Sequence, residues 1–177
     1  MTQAPLFMGF LILILTFDFD FPKGADTPLN AHIPTIERIT MTSDKHSVSL
    51  DDARRILAAG EAKARAIGQP MNLAVVDAGG NLVAHIRMDG AWIGSIDISI
   101  NKAFTARAFN LSTKSLAEDA QPGGQFYGIH ASNGGRIMIF AGGIPLQCDE
   151  QIVGAIGVSG GSGEQDQAVA EAAVAAF

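Results

Sequence analysis

Apolar residues recur at helical spacing at Leu50, Ala53, Ile56, Leu57, Gly60, Ala64 and Ile67. Ser49 stands where it can accept a hydrogen bond from the amide of Asp52, and Asp51 and Asp52 suit the positive end of a helix. Gly68 and Pro70 end it. Two short β-prone runs follow, Leu73 to Val76 and Leu82 to Met88, joined by the glycine-bearing turn Asp77 to Asn81. That pattern predicts an antiparallel hairpin. A second helix is expected from Ser95 to about Asn110. It carries two unlike stripes. Ile96, Ile100, Ala103 and Phe104 make a core face, and Ile98, Lys102, Thr105 and Phe109 make a mixed one. The mixed stripe is expected to meet a ligand pocket or a second subunit, unless the helix is buried on two sides.

Ser112 to Ala120 reads as a short helix at most. Gln121 to Arg136 has little periodicity and five glycines, the kind of long loop that is often functional. Strands are expected over Ile137–Gln147 and Gln151–Gly160, then a last helix from about Glu164 to the end. The links within each strand pair are too short for parallel crossovers. The expectation is a single α+β domain over 49–177, an antiparallel sheet flanked by helices.

Residues 1–48 read as an extension foreign to that pattern. Pro5 to Phe17 is almost wholly apolar, yet shorter than the roughly 20 residues of a spanning helix. No Lys or Arg precedes it, which argues against a secretory signal. The chain is therefore read as cytoplasmic, with no membrane span; a signal role for this stretch would make it secreted or periplasmic.

Composition narrows the partners. The net charge of the 177 residues is -6, with 12 Lys+Arg, so no basic surface is left for nucleic acid. One cysteine, Cys148, excludes an internal disulfide and a multi-cysteine zinc site. Gly161, Ser162 and Gly163 before the last helix suggest a phosphate loop, but Asp166 replaces the third glycine of a dinucleotide fingerprint and no G-K-[ST] exists. Glu164 and Asp166 already complement the helix start and would repel an anion. Gly157, Ser159 and Gly161 spell a nucleophile elbow in letters only, since the short domain has no hydrolase sheet to present it.

The runs "AVVDAGGNLVAHIRMDGAWIGSIDISINKAFTA", "FAGGIPL" and "IVGAIGVSGGSGEQDQAVA" resemble the HbpS/GlcG family, that of haem-binding protein S and the C-terminal domain of PduO-type proteins. The resemblance covers roughly Ser49 to Phe177. It implies an α+β domain that forms homo-oligomers, often octamers. Characterised relatives bind haem, some with a link to iron release or redox sensing, and others sit beside catabolic genes. The leading expectation is thus an oligomeric small-molecule-binding protein with haem as cofactor. The alternatives are an enzyme for a small carboxylated metabolite and a ligand-free accessory subunit.

Haem iron accepts His, Tyr, Met or Cys thiolate. Of the four histidines, His46 and His130 are the candidate iron ligands: the resemblance suggests the first, and the second lies beside Tyr127 in the glycine-rich loop. His32 falls in the extension, and His85 reads as a packed or surface residue of a strand. Arg87 and Asp89 flank a turn, and Arg87 can hold a carboxylate in a bidentate contact. With Lys102 and Thr105 it is expected to line a site for an anionic, partly apolar molecule.

Overall fold

The computed structural model describes residues 46–177. The apolar stretch Pro5–Phe17, His32 and all but the end of the extension lie outside the described residues. Ser49 caps the first helix, α1 (Leu50–Ala66), and the side chain of Asp52 returns the bond to the Ser49 amide at 3.1 Å. The hairpin follows as β1 (Asn72–Asp77) and β2 (Leu82–Arg87). Then come α2 (Gly94–Phe109), α3 (Thr113–Asp119), β3 (Gly143–Cys148), β4 (Gln151–Ser159) and α4 (Gly163–Val174). The strands form one antiparallel sheet in the order β2-β1-β4-β3. This is the expected α+β architecture.

Strand alternation divides the sheet's two faces. Leu73, Val75, Ile156 and Val158 point to one side and join Ile56, Leu57, Val169 and Ala173 of α1 and α4 in an aliphatic core. Val76 and Ala155 point to the other side and meet Ala103 and Ala106 of α2. Here the expected core face of α2 is corrected. Ala103 is fully buried, but Ile96, Ile100 and Phe104 are only half-buried. The residues turned inward include Ser99, Lys102 and Thr105. The reason is Gly157 on β4: a Cβ there would run into the Ser99 carbonyl and the Ala103 amide nitrogen. The helix backbone lies so close to the strand that bulky side chains are turned aside.

A second correction concerns the strand expected from Ile137. It begins only at Gly143. Residues 137–142 run outside the sheet, and Gly142, at φ +114, turns the chain into it. The apolar run that suggested a strand has another use, described next. Among the described residues no helix is long and apolar enough to cross a membrane.

Candidate functional site

The loop Gln121–Arg136 contains two single 3-10 turns, Ile129–Ala131 and Asn133–Gly135. The chain then passes over the end of α2 as Ile137, Met138, Ile139 and Phe140. These four, with His130 and Gly135, line a cleft of about 420 Å³. Its wall is apolar. His130 is exposed, and its ring makes no hydrogen bond to the described residues. Arg136, next in the chain to the lining residues, lays its guanidinium 3.7 Å from the centroid of the Phe104 ring and bonds Asn101 Oδ1 at 3.2 Å.

α2 holds this segment from behind. The Thr105 hydroxyl donates to the Asn101 carbonyl at 2.7 Å and accepts the Met138 amide at 3.0 Å. Lys102 is fully buried, and its Nζ lies 4.8 Å from the centroid of the Phe140 ring. The ammonium donates to Asp166 Oδ2 at 2.6 Å and to the Val158 carbonyl at 2.8 Å. Burial pushes the Lys102 ammonium down and the Asp166 carboxyl up, and the contact between them only partly offsets this. Removing one member of such a pair would leave the other buried without its counter-ion.

The three residues expected to share an anion site, Arg87, Lys102 and Thr105, have different surroundings. Arg87 and Asp89 stand at the end of β2, where Arg87 Nε donates to the Ala91 carbonyl at 3.1 Å. From Gly94, just past that turn, α2 rises about 12 Å to reach Lys102. Lys102 and Thr105 have internal partners and back the cleft rather than line it. Tyr127 is 66% exposed, and His46 is exposed beside the β1–β2 turn, where the neighbouring Ser47 Oγ accepts the Ala78 amide at 3.1 Å. Neither lines the cleft.

Of the expected residues, the structure brings His130 to the cleft as lining and Lys102 and Thr105 to its back. Sequence reasoning missed Ile137, Met138, Ile139 and Phe140, because four apolar residues in a row read as a strand. The glycines on either side, Gly135 and Gly142, were the available signal for a detour. At the start of α4 the Gly161 amide is taken by Asp166 Oδ1 at 2.9 Å, so the glycine loop serves the chain's own carboxylate and not a phosphate. A second cleft, of about 320 Å³, lies between Lys114 and α4, but Glu164 and Glu171 in its wall oppose an anionic ligand. No group of three or more metal-ligating side chains is found among the described residues.

The family model described as haem degrading protein HbpS-like matches residues 48–175. An uncharacterised 15.0 kDa protein from the dhaT-dhaS intergenic region of Citrobacter freundii is 43% identical over 131 residues, 74% of this chain and 92% of that one. The solved structure of a PduOC:heme complex is 34% identical, with a TM-score of 0.72 over 74% of this chain and 95% of that one. The crystal structure of HbpS is 30% identical, with a TM-score of 0.67 over 74% of this chain and 90% of that one.

Proposed function

This chain belongs to the HbpS-like family, and on that premise we propose that it binds haem in the cleft between His130 and Phe140. The observation that carries the reading is an imidazole with no hydrogen-bond partner among the described residues, set beside an apolar wall of Ile137, Met138, Ile139 and Phe140. That donor set fits haem. The nitrogen of His130 suits the iron, the wall suits the porphyrin, and the Met138 thioether is a further ligand type on the same wall. Arg136 supplies a cation for a propionate. The cleft falls within the roughly 300–1,000 Å³ usual for small-molecule sites, open enough to leave the propionates in water. Haem would supply ligand-exchange and redox chemistry at its iron. The chain's own part is to orient the ring and to keep water from its buried face. The haem complex of the PduOC relative supports the same class of ligand.

Titration of ferric haem into the full chain, followed by visible absorption, tests this. The expected result is a saturable Soret band that shifts in His130→Ala. An unmoved band in that variant would remove His130 as ligand, and no saturable band in the parent would reject haem. Thermal stabilisation by small carboxylic acids would then favour the metabolite enzyme.

A further inference from the structure

Among the described residues, 137–141 have no partner strand, and no backbone hydrogen bond ties the amides of Ile137 to Ala141 to the sheet. What holds the cleft's wall is side chains. The Met138 amide donates to Thr105 Oγ1, and the same hydroxyl lies 3.3 Å from the Arg136 carbonyl. Further along, the Gly142 amide donates to Gln167 Oε1 at 3.2 Å, and the Gly143 amide to Thr113 Oγ1 at 2.9 Å. Thr105 is the one of these three that meets the cleft-lining stretch itself. It is 1% exposed, so its hydroxyl is held inside the fold and faces the wall from behind.

We infer that Thr105 is a positioning residue of the cleft, its hydroxyl fixing the Arg136–Phe140 wall so that Met138 and its neighbours present one surface to a ligand. The inference deepens the haem reading and rests on it for the identity of the ligand. The hydroxyl gives its one proton to the Asn101 carbonyl, and its oxygen accepts the Met138 amide. A methyl in its place takes the acceptor away from the amide of half-buried Met138. The wall then moves to find water, and the cleft loses its shape.

The test compares Thr105→Val, which keeps the volume and removes the hydroxyl, with Thr105→Ser, which keeps the hydroxyl. Hydrogen exchange of the ligand-free full chain and ferric haem titration are read on both. Thr105→Val is expected to speed exchange at Met138 about tenfold and weaken haem about tenfold, as the loss of one hydrogen bond implies. Thr105→Ser should restore both. Parent-like exchange at Met138 in Thr105→Val overturns the inference, and so does faster exchange with unchanged haem affinity. If the parent binds no haem, the functional reading falls while exchange alone decides the role of Thr105. Should Thr105→Val fail to unfold cooperatively, Thr105→Ala takes its place with the same readings.

Discussion

The two faces of the sheet are built from different materials. Under α1 and α4 lies an aliphatic core in which Ile56, Leu73, Val75, Ile156, Val158 and Val169 are almost wholly shielded from water. Under α2 the apolar cluster shrinks to Val76, Ala103, Ala106 and Ala155, and the same helix buries Ser99, Asn101, Lys102 and Thr105. The aliphatic face gains stability from burial without direction. The α2 face spends its close approach on directed bonds, and those bonds reach into the cleft wall at Met138 and lie beneath Phe140. One face holds the fold together, and the other shapes the cleft.

The largest effect that sharpens this contrast is expected at Lys102. Lys102→Met leaves Asp166 buried without its counter-ion and should cost about 3–5 kcal/mol in chemical denaturation. Combining it with Asp166→Asn should recover part of that loss. A single-variant cost near zero would mean the pair opens to solvent. Leu73→Ala on the aliphatic face comes next, at about 2–5 kcal/mol, because it empties a fully buried site. Its haem affinity, measured on the folded protein, should match the parent's. A Soret titration weakened as much as in Thr105→Val would erase the distinction between the faces.

Legibility in the sequence follows the same division. The cap of α1 at Ser49, the hairpin around Asp77–Asn81 and the antiparallel sheet were all readable, because local spacing and turn chemistry decide them. The place of His130 in the glycine-rich loop was readable too. The partner of Lys102 was not, since Asp166 lies 64 positions away and nothing local marks the pairing. Nor was the small-residue face of α2, which follows from a glycine on a strand 50-odd positions later (about the span from Ser99 to Gly157). The wall at Ile137–Phe140 was misread because an apolar run reports burial without saying what it is buried against.

The smallest expected effect is one of pH. His85 on β2 stands opposite Ala74, and desolvation lowers its imidazole below the ordinary 6.5. The unfolded chain therefore takes up this proton at a higher pH than the folded chain does. Stability should fall as pH drops from 6.5 through the folded value, and His85→Asn should flatten that slope. Denaturation midpoints collected across this range check it, and an unchanged slope in the variant would assign the effect to other groups.

The central claim, that the ligand sits on the α2 side at the His130–Phe140 cleft, is tested most directly by methyl spectra of the full chain with and without ferric haem. The paramagnetic iron should broaden the methyl signals of Ile137, Met138 and Ile139 and leave those of Ile56, Leu73 and Val169 sharp. Sharp signals at the first three, with broadening anywhere else in the domain, would contradict it.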